Sequence, residues 1–382
     1  MFVTHVKEAG IKRVVLLCLL AAFLPSPALA QYLGYSFKAN PKNGERIYRA
    51  ACVSCHGSKG QGAPETLVGF KLPGNFPDFT RCDQTTAEVN SSYKDVITHG
   101  GPSRGLSQIM PAFGEAMGSK DIDDVIAYLR QFCRKKGWPR GELNLPRAIV
   151  TEKAFPEDEV VLSTEVNVNG APGNESHVIH EQRFGQKNQI EIDVPIEFQN
   201  QDHVWYGGVG DATLAVKRVM FSNLDTGSIL SLQGGFLVPS GNHSRGLGAG
   251  TTTFESFAAF DQVFRSNTFV QLQFGADLPF HTDKEPQSIF FNSAIGQSIA
   301  AKGGTGRLWS PMVEFLADRD LIDAAKTDWD LLPQMQVTLS KRQHIRADLG
   351  LRLPLTNTAG RQKELVFYIL WDWADGKLTE GW

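Results

Sequence analysis

The chain has 382 residues, of which 42% are hydrophobic and 21% charged, with a formal net charge of −3. That length suits two domains better than one, and the ordinary composition excludes a mainly disordered, collagen-like or disulfide-dense chain. The charge balance carries no basic signature for nucleic acid. A slightly negative mean hydropathy argues against a polytopic helical membrane protein. It leaves a β-barrel open, because barrel strands are only half apolar.

Residues 1–30 read as an export signal. Lys7, Lys12 and Arg13 precede an apolar run from Val14 to Leu24, and Ala28-Leu29-Ala30 follows Pro25-Ser26-Pro27. A basic start, a short apolar core and a small-x-small end define a secretory signal, cleaved after Ala30. The run is too short to span a bilayer as a helix. Cys18 lies within it and is expected to leave with it. The mature chain is therefore expected to work outside the cytoplasm.

Residues 31–138 form a small region of helix and loop. Asn43 to Ala51 suits a short helix. Ser119 is placed as the N-cap of a later one, with Asp121, Asp123 and Asp124 at its positive end. Ile122, Val125, Ile126, Leu129, Phe132 and Cys133 then recur at helical spacing, and Lys135, Lys136 and Gly137 close the segment.

The strongest signal in the chain is Cys52-Val53-Ser54-Cys55-His56. In an exported protein, C-x-x-C-H is the attachment motif of haem c. Two thiols one helical turn apart each form a thioether to a haem vinyl group, and the adjacent imidazole reaches the iron. The other reading of the pair is a redox-active C-x-x-C.

The region resembles the class I c-type cytochromes over roughly residues 40–138. The matching residues are Gly44 and Tyr48 before the motif, Gly57 after it, Met110-Pro111-Ala112-Phe113-Gly114, and the helix containing Tyr128. The resemblance implies one covalently attached haem c, with His56 and Met110 as iron ligands and Pro111 fixing the loop behind Met110. Met117 and His99 are the alternatives to Met110. Two closed axial positions imply an electron carrier and no catalytic residue, with a role inside an oxidoreductase left open. Cys82 and Cys133 remain. In an oxidising compartment two leftover Cys in one small domain suggest a disulfide. Two free thiols are the alternative, Cys133 then simply belonging to the apolar face of its helix.

Residues 139–156, from Pro139 to Pro156, read as a linker, and residues 157–382 as a β domain. Here the period changes to two. Ile190, Ile192, Val194, Ile196 and Phe198 alternate with Glu191, Asp193, Pro195 and Glu197. The same alternation recurs along Thr268 to Pro279 and His344 to Leu355. About twelve such segments are expected, centred near Thr164, Glu181, Val194, Val216, Leu232, Phe257, Leu272, Ile295, Glu314, Val337, Leu349 and Ile369. An even strand count, short connections such as Gly185–Asn188 alternating with long ones at Pro239–Gly250 and Asp318–Trp329, and Trp205, Tyr206, Trp309, Trp371 and Trp373 near strand ends all favour a membrane barrel.

Gly208-Val209-Gly210-Asp211, the stretch from Gly234 to Gly241, and Pro311-Met312-Val313-Glu314 resemble outer-membrane barrels of the phenol-degradation meta-pathway transporter type. Trp382, well beyond Trp373, departs from barrels that end on an aromatic residue of the last strand. The expected architecture is multidomain: a small all-α cytochrome c domain, then an all-β antiparallel up-and-down barrel of about twelve strands.

In that barrel Glu165, Glu191, Asp193, Glu197, Glu255, Asp277, Asp348 and Asp372 are expected to face inward, opposed by Lys217, Arg346 and Arg352. Such a lumen favours a small, cationic solute. An even strand count puts both barrel ends on the periplasmic side, so the haem domain is expected in the periplasm beside a redox partner protein, with the barrel in outer-membrane lipid. A barrel this narrow does not admit a folded domain of roughly 100 residues, and one haem does not bridge an apolar band about 25 Å tall. The leading reading is electron transfer by a haem domain tethered to the outer membrane. The alternatives are an outer-membrane solute transporter whose haem domain docks or senses, and a soluble periplasmic cytochrome with a β partner-binding domain.

Overall fold

The computed structural model describes residues 39–64, 68–73, 76–85, 89–104, 106–135, 141–201, 203–264, 267–300, 307–340 and 343–379. The export signal lies outside these residues, as do Trp138, Pro139 and Trp382. Among the described residues five α-helices come first: Pro41–Ala51 (α1), Val53–His56 (α2), Cys82–Thr85 (α3), Asn90–His99 (α4) and Ser119–Leu129 (α5). Asn40 caps α1, its side-chain oxygen accepting the Lys42 N–H at 3.1 Å, and Pro41 occupies the first turn, where its missing N–H leaves nothing unpaired. Helix α5 differs from expectation at its start. Gly118 holds the cap position and Ser119 is already helical, so no side chain caps this end. The helix α4 is hidden from periodicity, because its first residues are Asn90, Ser91 and Ser92.

The α1–α5 crossing sets this domain's shape. A Cβ at Gly44 would lie 1.9 Å from the Asp124 carbonyl oxygen, so only glycine lets the two backbones meet there. Asp124 fastens the crossing. Its fully buried carboxylate accepts the Asn40 N–H at 2.6 Å, the Asn43 amide at 2.9 Å and the Lys120 ammonium at 3.1 Å. Ile47, Tyr48, Phe79, Ile97, Ile122, Val125, Ile126, Leu129 and Phe132 form the core around it.

The β domain contains β1 Glu159–Asn167, β2 Gly173–Phe184, β3 Asn188–Gln201, β4 Val204–Val209, β5 Ala212–Asn223, β6 Ser228–Val238, β7 Thr253–Val263, β8 Thr268–Pro279, β9 Ser288–Gln297, β10 Ile299–Ala300, β11 Leu308–Asp320, β12 Asp328–Thr338, β13 Ile345–Pro354 and β14 Glu364–Asp372. Twelve of these form a closed antiparallel barrel, with β4 and β10 as short additions on β3 and β11. Closure is direct: β1 pairs β14 along its whole length, from Glu159 opposite Asp372 to Asn167 opposite Glu364. Each of the twelve expected centres falls within a barrel strand.

The two faces follow the expected register. Ile190, Ile192, Phe198, Leu214, Val216, Leu349, Phe367 and Ile369 are exposed on the outside, whereas Glu191, Glu197, Lys217, Arg346, Asp348 and Asp372 are buried inside. Exposed Trp205 and Trp329 mark one rim, and exposed Trp309 marks the other. Few residues separate the strands at the rim where β1 begins, between Phe184 and Asn188, Asn223 and Ser228, and Val263 and Thr268, whereas β10 lies between β9 and β11. At the opposite rim residues 239–252 make a long loop. The second long loop is shorter than expected, because β11 runs to Asp320 and β12 starts at Asp328.

The helical domain meets the short-turn rim. The Asn90 N–H donates to the Leu224 carbonyl at 3.3 Å, and its side-chain amide donates to Asp225 at 2.5 Å. Ala374, just after β14, packs on Cys82 and Cys133.

The segment expected as a linker has a different character. From residue 141 it lies inside the barrel, without regular secondary structure, and most of it is buried. Leu143, Leu145, Ala154 and Phe155 join Val89 of the helical domain and Val219, Ile229, Phe257 and Phe269 of the barrel in one apolar cluster.

Candidate functional site

Cys52 follows α1 directly, its N–H donating to the Tyr48 carbonyl at 2.9 Å. One further turn, α2, carries Cys55 and His56 on the same wall. Gly57 then reverses the chain at φ 72, and the Tyr48 hydroxyl donates to its carbonyl at 2.7 Å. Burial, then Cys52 and Tyr128, raise the Tyr48 pKa, so its proton stays in that bond.

These residues line a cavity of about 400 Å³, together with Phe76, Phe79, Tyr93, Val96, Ile97, Met110, Phe113, Val125 and Leu129. The His56 ring stacks on Phe76 with centroids 4.9 Å apart and lies 5.2 Å from Phe79. Its Nδ1 is buried and has no hydrogen-bond partner among the described residues. Burial pushes the imidazole pKa down to about 4, so at neutral pH the ring is uncharged and has a lone pair to offer. Burial and, secondarily, the neighbouring Cys55 push the Cys52 thiol up to about 11.

Met110 comes from a separate loop that two glycines press against the end of α4. The Gly101 N–H donates to the Met110 carbonyl at 2.9 Å, and a Cβ on Gly100 would lie 3.0 Å from that same oxygen. The Phe113 N–H, donating to Ile97 at 2.9 Å, fixes the far side of the loop. Of the three residues considered as distal ligand, Met110 is on the cavity wall with His56. Met117 packs into the neighbouring core. His99 is exposed and pairs with Asp95 at 3.2 Å.

Cys82 and Cys133 are disulfide-linked, with Cα atoms 5.1 Å apart. The bond ties α3 to the chain beyond α5. The aromatic wall of Phe76, Phe79 and Tyr93 escaped the sequence reading, since these residues sit in loops or on α4 without a periodic pattern.

The residues present fit a haem c. Two free thiols, a neutral imidazole with an unsatisfied nitrogen and a thioether converge on one mostly apolar cavity. The barrel holds a second group of potential ligands, the Glu152, Glu181 and Glu191 carboxylates, within 4.8 Å of one another. Arg147 and Lys217 already pair with Glu152, and Arg147 with Glu181, which makes this a charge network.

Residues 39–129 match the family described as cytochrome C oxidase, cbb3-type, subunit III. Cytochrome c-555 of Prosthecochloris aestuarii is 33% identical over 89 residues, which cover 23% of this chain and 82% of that protein. A nicotinate dehydrogenase polypeptide of Pseudomonas putida is 30% identical over 90 residues, but the chain spans only 7% of its length. Among solved structures, an outer membrane channel from Pseudomonas putida F1 covers 59% of this chain and 99% of its own, with 13% identity and a TM-score of 0.39. The KdgM porin in complex with disordered oligogalacturonate covers 56% of this chain and 98% of its own, with 8% identity and a TM-score of 0.37.

Proposed function

Because the chain belongs to the c-type cytochromes through residues 39–129, we propose that it is an electron carrier holding one haem c, anchored in the outer membrane by its barrel with the haem domain in the periplasm. The observation that carries this reading is the convergence of Cys52, Cys55, His56 and Met110 on one cavity. Cys52 and Cys55 would attach the haem, and His56 and Met110 would hold its iron. Bound there, haem c supplies a reversible one-electron centre. The chain's own residues do the rest: Phe76 and Phe79 orient the imidazole, the glycine-clamped loop presents the thioether, and the apolar wall excludes water. A thioether ligand favours the reduced state and raises the potential.

The location rests on the barrel. Its outer face is apolar between aromatic rims, as lipid requires, and the short-turn rim carries the haem domain. The physiological partner is then a periplasmic redox protein, or an oxidoreductase of which the chain forms one component.

Expression with haem-maturation machinery tests the assignment. The expected result is a c-type reduced spectrum and haem that stays with the polypeptide in a denaturing gel. Met110→Ala is expected to lower the potential while leaving attachment intact. Absence of c-type bands, or a Met110→Ala spectrum and potential equal to wild type, overturns the assignment. A tag in the 243–246 loop is expected to be labelled on intact cells, and one beside Asn40 only after the outer membrane is permeabilised. The reverse pattern overturns the orientation.

A further inference from the structure

We propose that residues 141–157 are a plug that closes the barrel at rest, with the Glu314 carboxylate latching its tip, so that the barrel is a gated passage. This goes beyond the electron-carrier reading and does not depend on it.

The first observation is the sealed lumen. Every one of the twelve barrel strands turns at least one polar side chain inward that is 9% exposed or less, among them Glu159, Lys217, Gln271 and Glu314. A standing water-filled pore wets such side chains. Here the plug and the wall cover them together.

The second is the way the tip is held. At mid-barrel the chain bends at Ile149-Val150-Thr151, and three successive N–H groups converge on Glu314, at 3.0, 3.1 and 2.6 Å. The Thr151 hydroxyl adds a fourth donor at 2.5 Å. Consecutive backbone donors around one carboxylate form an anion nest.

The third is the nature of the remaining contacts. Descending, the Arg147 guanidinium donates to Glu159 at 2.9 Å and Glu181 at 2.7 Å, and its carbonyl accepts from the Tyr368 hydroxyl at 2.6 Å. Returning, the Ala154 N–H donates to Asp261 at 2.9 Å and the Glu157 N–H to Gln189 at 2.7 Å. These wall partners are side chains. The plug adds no strand to the sheet, so it is able to leave without breaking the ladder that holds the barrel shut. Its hydrogen bonds can each be replaced by water at modest net cost, whereas Leu143, Leu145, Ala154 and Phe155 give its two ends an apolar hold on the wall, away from the tip.

The test uses the full-length protein in planar lipid bilayers, with Glu314→Ala as the opening variant. Wild type is expected to stay mostly closed. Glu314→Ala is expected to raise the open probability about tenfold or more, since it removes the carboxylate that accepts from four plug donors and from the Gln334 amide of the wall. An Ala148→Cys reporter is expected to resist a membrane-impermeant maleimide in the wild-type background and to react when Glu314→Ala is added. Heat-modifiable gel mobility checks that the barrel is intact. If Glu314→Ala does not fold, Glu314→Gln, which keeps the side chain's size and removes one carboxylate oxygen from the nest, reads the same quantity. Wild-type conductance equal to that of the opened barrel overturns the proposal, as does equal labelling of Ala148→Cys in both backgrounds. Haem absorbance, recorded in parallel, reports separately on the electron-carrier reading.

Discussion

Gly44→Ala separates helix propensity from tertiary contact. In an exposed helix the change stabilises by about 0.8–1.0 kcal/mol, because alanine loses less backbone freedom than glycine. Here the new methyl group would lie 1.9 Å from the Asp124 carbonyl oxygen. An ordinary carbon–oxygen contact needs about 3.3 Å, so α1 and α5 must separate by roughly 1.4 Å. The obstacle is backbone, and Asn40, Asn43 and Lys120 hold Asp124 in place. The cost therefore falls at the upper end of the 1–3 kcal/mol range for overpacking, about 3 kcal/mol. Net of propensity, the variant is expected to lose about 2 kcal/mol, or roughly 8–16 °C in midpoint for a domain of about 100 residues. Thermal unfolding of the full chain, followed by circular dichroism in the haem Soret region, isolates this domain from the barrel. Gly118→Ala is the control, since its Cβ would meet nothing nearer than 3.9 Å. An unchanged or raised midpoint for Gly44→Ala refutes the close crossing.

Three further outcomes are expected. Burial works against the charged Asp124 carboxylate, but the Asn40 N–H, Asn43 and Lys120 outweigh it and hold its pKa below the usual range. A depressed folded-state pKa gives stability that is complete above the unfolded value, near 3.9, and is lost as pH falls through the folded one. Midpoints taken from pH 7 downward are thus expected to fall more steeply in acid for wild type than for Asp124→Asn, and parallel curves count against it. Replacing Cys82 and Cys133 by Ser opens a loop spanning a separation of 51 residues. The loss expected from loop entropy is about 4 kcal/mol in the haem domain. It is measured by denaturant midpoint, and a loss confined to the barrel contradicts it. Arg147→Leu leaves Glu159 and Glu181 buried without the cation that bridges them. It is expected to cost about 3–5 kcal/mol, read as a lower urea midpoint for the heat-modifiable barrel band. An unshifted band argues that the network contributes nothing.

Much of this molecule is legible in its sequence because two of its signals are local. C-x-x-C-H is contiguous, and strict alternation over strands such as Gln189 to Asn200 fixes both strand and face. The short α4 is less legible, because its apolar residues are few and its first turn is polar. Which of Met110, Met117 and His99 reaches the cavity depends on Gly100 and Gly101 folding a distant loop back onto α4, and spacing does not reveal that. The segment from Pro139 to Pro156 reads as a linker because it begins and ends on proline and has no period. A flexible tether is polar throughout. Leu143, Leu145, Ala148, Ile149, Val150, Ala154 and Phe155 are too apolar for that, and this composition was the available sign of burial.

The β1–β14 seam has a consequence for biogenesis. The plug runs directly into β1, which pairs with β14, the last strand in the chain. Its polar groups find partners on strands from both halves of the chain: the Arg147 guanidinium and the Glu152 carboxylate on Glu181 and Lys217 early, the Thr151 N–H and the Arg147 carbonyl on Glu314 and Tyr368 late. Residues 141–157 therefore reach their full set of bonds only once the last strand, β14, is in place, so the segment cannot be fully seated before the cylinder is complete.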